Sequence, residues 1–286
     1  MGISSAIIFG LIAMIGLGLS GVLARDPSRR LGSDRSLFWR QVFLVILQIP
    51  LLVFFFPKDL SWQGLAWAVA VGVAGYFPIH FFYRAISNGR VGVVAPIANS
   101  SAVITAILAV YVLGEPFGVF RVVGLVLALS GVILLSVDFR DWKNSALLRS
   151  ESGIPFAVAA CLGWGVVMFL FRYPVRLIGP IPTSFIVETS ALVISAIRLR
   201  SQKISFDFPD GYGRTFLWVG LAGVVGAVAY DFGLMTSAVA VVAVLNMTNP
   251  VIAAAYERFV FKERLSFRQV VGMFLAIAGA ALVAAI

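Results

Sequence analysis

The sequence predicts an all-α integral membrane protein of ten transmembrane helices, arranged as two inverted five-helix repeats. Three observations carry that expectation. The 286 residues are 60% hydrophobic and 12% charged, against about 25% charged in a soluble domain. Ten apolar runs are each long enough to cross the roughly 30 Å hydrocarbon layer. The two halves also match each other at a constant offset. A separate soluble domain finds no room between the runs, which excludes most soluble-enzyme classes.

In chain order the runs lie at 3–24, 37–56, 64–85, 91–113, 118–137, 153–172, 180–199, 215–237, 239–261 and 267–286. The first carries Gly16-x-Gly18-x-x-Gly21. This spacing fits a dinucleotide-binding turn, but that turn needs a strand before it and a helix after it. Inside an apolar run, small residues instead let helices approach closely. Gly72/Gly75 and Gly220/Gly223 in the third and eighth runs read the same way. Phe54-Phe55-Phe56, Trp62, Trp67, Trp142 and Trp218 fall near span ends, where aromatic rings anchor at the interface. Gly114 ends the fourth run and Pro116 suits the first position of the fifth. Ser266-x-x-Gln269 is a capping box for the tenth.

The net charge of +9 sits at the ends of these runs, so it reads as membrane topology and not as a nucleic-acid surface. Of 22 Lys and Arg residues, only Lys58, Arg121, Arg172 and Arg176 fall in even-numbered loops. The odd-numbered loops, with Arg40 just inside the second run, define a basic face, which is normally cytoplasmic. Ten spans then place both termini outside. Met1 to Ala6 has no basic stretch, so a cleaved signal peptide is not expected. Cys161 is the sole cysteine, which excludes an intramolecular disulfide and a Cys-rich metal site.

Tyr111–Leu135 aligns without gaps on Phe259–Val283, an offset of 148, with nine of 25 positions identical, among them Glu115/Glu263, Gly124/Gly272 and Gly131/Gly279. At offset 147, Gly16, Gly18, Arg25, Pro27 and Arg29 fall on Gly163, Gly165, Arg172, Pro174 and Arg176. Five spans per unit force the second copy to enter from the opposite side, an arrangement typical of transporters that rock around a midplane site. The expected division is 1–137 as the first repeat, 138–152 as a polar linker and 153–286 as the second repeat, the whole forming one structural domain.

Gly163-Trp164-Gly165, Glu115 and Glu263 after the fourth and ninth helices, the Gly-spaced helices that follow, and Pro250 lying 13 residues before Glu263 resemble the EamA-type branch of the drug/metabolite transporter superfamily. The resemblance covers essentially the whole chain and is better in the second half. The first half has Ala102 where Pro250 would correspond, with Pro96 nearest, and Leu17 in place of Trp164. It implies transport of small metabolites, often export, through a pathway lined by the first four helices of each repeat, with the fifth and tenth helices as scaffold or homodimer contacts. Family habit also implies cytoplasmic termini, against the charge count.

Candidate substrate-binding or coupling residues are the polar groups at membrane depth. Glu188 and Asp231, with Tyr230 beside the latter, lie in the half away from the basic face. There a carboxylate is costly, so it marks a functional site or a buried polar pair. Asn99-Ser100-Ser101 and Asn246-Met247-Thr248 match glycosylation sequons at a depth where no glycan attaches. With Asn249 and Pro250 they make the fourth and ninth helices the expected cavity lining. His80 and Tyr83 lie toward the basic end of the third helix, His80 being able to take a proton near neutral pH, and Arg84 is read as an interfacial anchor. Trp164 joins the set through the resemblance. Arg40 is the offset-148 counterpart of Glu188. Inversion would place the two in opposite leaflets, each lining its own vestibule, without a direct ion pair. Glu115, Glu263 and Pro250 are read as structural, the glutamates favoured by the positive helix ends at their own junctions.

No cofactor and no metal is expected: H-E-x-x-H is missing, and one histidine cannot build a His-rich zinc site. The expected partners are a small-molecule substrate, the lipid bilayer and a second copy of the chain, with no nucleic acid. The expected location is the plasma (bacterial-type inner) membrane. The alternatives to a transporter are a flippase for lipid-linked headgroups and, more remotely, an Asp-based intramembrane hydrolase.

Overall fold

The computed structural model describes residues 2–56, 60–88, 94, 97–115, 118–136, 153–236, 238–260, 262 and 266–285. The linker 138–152, Glu263, Pro96, Pro116 and Trp142 lie outside the described residues. Every regular element among the described residues is a helix.

The first repeat contributes α1 (Ile3–Leu23), α2 (Arg25–Arg30), α3 (Ser33–Phe54), α4 (Trp62–Asn88), α5 (Ser101–Leu113) and α6 (Val119–Ser136). The second contributes α7 (Ile154–Leu170), α8 (Arg172–Ile178), α9 (Pro180–Ser201), α10 (Gly213–Leu234), α11 (Val239–Met247), α12 (Pro250–Val260) and α13 (Phe267–Ala285). Eight segments are long and apolar enough to cross a membrane, and Ile97–Leu113 and Val119–Leu134 are shorter apolar helices. These ten follow the order of the ten expected spans. A 22-residue helix such as α3 is about 33 Å long, enough for the hydrocarbon layer.

Two expected loops are helical instead. The first span runs on into α2 and the sixth into α8. Pro27 and Pro174 lack the N–H that would bond back to Leu23 and Leu170, which frees the chain to turn there. A glycine then caps the start of the next long helix in each repeat, Gly32 at φ 84°, ψ 158° and Gly179 at φ 86°, ψ 164°. That backbone region is essentially closed to L-residues with a Cβ. The two turns are 147 residues apart, so the Arg-Pro-Arg match in the sequence corresponds to a repeated three-dimensional unit.

The ninth span is broken where the sequence suggested one continuous helix. α11 ends at Met247 and α12 begins at Pro250. The Thr248 hydroxyl turns back to the Leu245 carbonyl at 2.7 Å, and Asn249 N–H bonds to Asn246 O at 3.1 Å. In a membrane such a break persists only where the freed backbone faces protein or a wet cavity. Ser100 interrupts the fourth span in the corresponding place, as a turn between helical Ile97–Asn99 and α5.

The repeats interlock. α1 packs on α10, α3 on α9 and α4 on α7. A Cβ on Gly16 would sit 2.6 Å from the Gly226 Cα, so α1 and α10 touch backbone to backbone. α6 and α13 cross antiparallel and reciprocally: Gly131 lies against Ala276, and Gly279 against Ala128. Both pairs are related by the 148-residue offset, as an inverted repeat requires.

The connections sort to two ends. Near the basic face Arg35 Nη2 donates to the Asp207 carbonyl at 2.6 Å, and the Tyr212 hydroxyl donates to Asp26 Oδ2 at 3.0 Å. At the opposite face Glu115, Arg172 and the start of α11 meet.

Candidate central cavity

A cavity of about 260 Å³ lies between the repeats, lined from α1, the start of α2, α3, α4, α5, α7, α9, α10, α11, α12 and the start of α13. Nine of the ten expected binding or coupling residues line it: Arg40, Tyr83, Asn99, Trp164, Glu188, Tyr230, Asp231, Asn246 and Asn249. The two helix breaks bring the asparagines there. Asn249 Nδ2 donates to Asn99 Oδ1 at 3.2 Å, joining the ninth span to the fourth. Pro250, expected as structural, also lines the cavity.

His80 does not line it. Its Nδ1 lies 3.1 Å from Asp34 Oδ1, which also receives Arg198 Nε at 2.8 Å. Tyr76 stacks on the imidazole with 5.8 Å between centroids. With its amide oriented to satisfy both neighbours, Gln202 donates to Asp34 Oδ2 at 3.0 Å and accepts from Arg198 at 2.9 Å. This network ties α3, α4 and α9 together near the basic face. Arg84 is exposed and stands 4.5 Å over the Phe156 ring.

Arg40 and Glu188 correct the expectation of separate vestibules. Arg40 Nη1 lies 3.8 Å from Glu188 Oε2, with side chains 7% and 14% exposed. Gln41 completes the link, accepting from Arg40 and donating to Glu188 Oε2 at 2.5 Å. The inverted positions do lie at different depths, about 10 Å and about 20 Å from the basic ends of α3 and α9. The two helices are antiparallel neighbours, however, and one arginine and one glutamate side chain together bridge that interval.

Asp231 is 2% exposed. Ser184 hydrogen-bonds to its carboxylate, and Glu188 is near enough for the two charges to interact. Its Oδ2 has no partner. Asn246 Oδ1 is also buried and unpartnered. On the apolar wall Phe82 and Trp164 are 5.1 Å apart at an interplanar angle of 47°.

Glu115 caps a different helix from the one expected. Its Oε1 and Oε2 accept from the backbone N–H groups of Val239 and Ala240 at 2.9 and 3.1 Å. Arg172 Nη1 stands 3.5 Å from Oε1. The carboxylate thus binds the positive end of α11 and not that of α6. The left-handed Gly114 (φ 67°) turns the chain so that Glu115 can reach it. Behind this clamp Val239–Leu245 are at most 3% exposed. The half of the ninth span toward the opposite face is therefore packed solid, while cavity-lining residues continue to Arg25 and Gln269 near the basic face.

Gln41 and Ser184 are among the cavity residues that the sequence reading missed. Each is a polar residue within an apolar run, and that signal was present.

The profile of the EamA-like transporter family matches residues 4–137 and again 151–285. An uncharacterized transporter of Archaeoglobus fulgidus is 20% identical over 281 residues, covering 95% of both chains. A solved crystal structure superposes with a TM-score of 0.78 at 16% identity, over 98% of this chain and 97% of its own. That last likeness speaks to the fold alone.

Proposed function

The chain belongs to the EamA-like transporter family, and from that premise we propose that it moves small amphipathic metabolites, amino acids among them, by alternating access. The observation that carries this reading is the cavity between the repeats, placed where two broken helices meet, with the first half of the ninth span buried beside it. A pathway open to one side at a time is what alternating access requires, and repeats related by inversion supply two such states from one architecture. Its wall supports the substrate class: Phe82 and Trp164 offer an apolar surface, and asparagines and carboxylates offer hydrogen bonds.

Export across the plasma (bacterial-type inner) membrane is the proposed direction, and Glu188 and Asp231 are the proposed coupling carboxylates. Each sits inside a span, where gaining or losing a proton changes the local energy strongly. A homodimer would use the lipid-facing Phe120 and Phe274, which are 59% and 71% exposed, because the glycines of α6 and α13 already pack on each other.

The test is purified protein in liposomes carrying a pH-sensitive dye and challenged with a panel of amino acids and aromatic metabolites. Solute-dependent flux is the expected result. Coupling predicts that Glu188→Gln with Asp231→Asn uncouples solute movement from the dye signal. Undiminished proton flux in that double variant overturns coupling, and absence of movement for every solute overturns transport.

A further inference from the structure

We infer that the cavity contains a subsite for a primary ammonium group, formed by Asp231 Oδ2 and Asn246 Oδ1. The inference rests on the transport reading only in naming the cargo; the subsite itself rests on hydrogen-bond accounting. Two buried side-chain atoms among the described cavity residues have no partner, and they are these two oxygens. Both are acceptors. Buried polar atoms left without partners are rare in native proteins, and each calls for an explanation.

The chemistry of the missing group follows from the two atoms. An acceptor needs a donor, and a cationic donor would be favoured by Asp231 in its ionised form. Of the two arginines that line the cavity, Arg40 is held by Glu188 and Gln41, and Arg25 lies at its basic end. A primary ammonium carries three N–H donors and one positive charge in a compact head, so it offers a donor to either oxygen. A quaternary ammonium has the charge but no N–H. A carboxylate would set acceptor against acceptor beside Asp231. An alcohol offers one donor and no charge. Tyr230 lines the cavity next to Asp231, and the Phe82–Trp164 pair gives the remainder of the ligand an apolar or aromatic wall. The subsite therefore selects an amphipathic primary amine, with an amino acid engaged through its ammonium end.

The test is calorimetric titration of the protein in nanodiscs, blanked against empty nanodiscs, with four probes on one scaffold: 2-phenylethylamine, its N-trimethyl derivative, 2-phenylethanol and 3-phenylpropionate. The amine should bind at least about tenfold more tightly than each of the other three, as charge-assisted hydrogen bonds outweigh neutral ones. Asp231→Asn should weaken the amine about ten- to a hundredfold, and Asp231→Glu should recover part of that loss. Asn246→Ala should weaken the amine while leaving the quaternary probe unchanged. Acidification should weaken the amine, because protonating Asp231 removes the charge it recognises. Melting curves for each variant separate lost binding from lost fold.

Equal binding of amine and carboxylate, or an indifferent and folded Asp231→Asn, overturns the subsite. In liposomes the two ideas part. Asp231-dependent amine binding with no solute movement removes the transport reading and keeps the subsite. Transport of neutral or anionic solutes that Asp231→Asn leaves intact does the reverse.

Discussion

Asn249 donates its side-chain amide to the side-chain Oδ1 of Asn99 at 3.2 Å, and this one bond joins the two places where membrane-spanning helices are interrupted. Asn99 precedes the turn at Ser100, and Asn249 sits in the turn between α11 and α12. They come from opposite repeats. The contact therefore lies on the seam along which the repeats must move if the cavity is to change the face it serves.

A double-mutant cycle with Asn99→Ala and Asn249→Ala should give a coupling of about 0.5–1.5 kcal/mol in unfolding free energy, the range for interhelical hydrogen bonds in membranes. Denaturation in mixed micelles measures it. Strict additivity of the two variants would mean that the amides do not hold each other.

Apolar length alone located the spans, because crossing a bilayer imposes one simple requirement on every helix. The inversion was legible for a comparable reason: an odd number of spans per repeat leaves no other topology. Long-range pairing was less accessible. For Arg40 and Glu188, depth along two helices does not say how far side chains reach toward each other. Glu115 was matched to a helix end, yet the end it binds is 124 residues away, and no local rule points there. The paired polar segments at Asn99 and Asn246 marked the cavity because hydrocarbon tolerates such groups only when they face something polar.

Glu115 and Arg172 hold the start of α11, so weakening them should let the opposite face open. In a Cys161→Ser background, a cysteine at Ser184, which is 2% exposed, should resist a membrane-impermeant maleimide applied from that face. Adding Glu115→Gln should raise the labelling rate severalfold, since a neutral amide keeps the shape but loses the charge that binds Arg172 and the helix end. Unchanged labelling would assign Glu115 to folding alone.

Removing one partner of the buried Arg40–Glu188 pair should be worse than removing both. Glu188→Gln leaves a guanidinium in a nearly dry site and should lower stability by about 3–5 kcal/mol, whereas replacing both residues with methionine should recover most of the loss. Thermal unfolding of the two variants against the wild-type protein reads the difference. A double replacement as damaging as the single one would show that Gln41 and Tyr83, and not the ion pair, organise this wall.

Asp34 gathers Arg198, His80 and Gln202 around one carboxylate close to the basic face. Arg198 is 30% exposed, so part of its attraction is screened by solvent. Asp34→Asn should therefore cost about 1–2 kcal/mol, between exposed and buried pairs. It should also raise hydrogen exchange at the adjoining ends of α3 and α9 more than in α6 and α13. Mass-spectrometric exchange checks that contrast; a uniform rise across the bundle would mean that the network adds global stability without holding these ends together.

The crossing of α6 and α13 sets a steric limit that can be probed one methyl group at a time. A Cβ on Gly131 would lie 2.2 Å from the Ala276 nitrogen, and one on Gly279 would lie 2.2 Å from the Ala128 nitrogen. Both obstacles are backbone, which cannot rotate aside as a flexible side chain would. Gly131→Ala or Gly279→Ala should therefore separate the helices and lower stability by about 1–3 kcal/mol, the usual range for overpacking. Gly118→Ala supplies the contrast, since nothing stands within 4 Å of its added Cβ. If the pair acts as a rigid scaffold behind the moving helices, Gly131→Ala should lower the melting temperature while leaving the affinity for cavity ligands unchanged. A loss of affinity in the folded variant would instead make α6 and α13 part of the moving pathway.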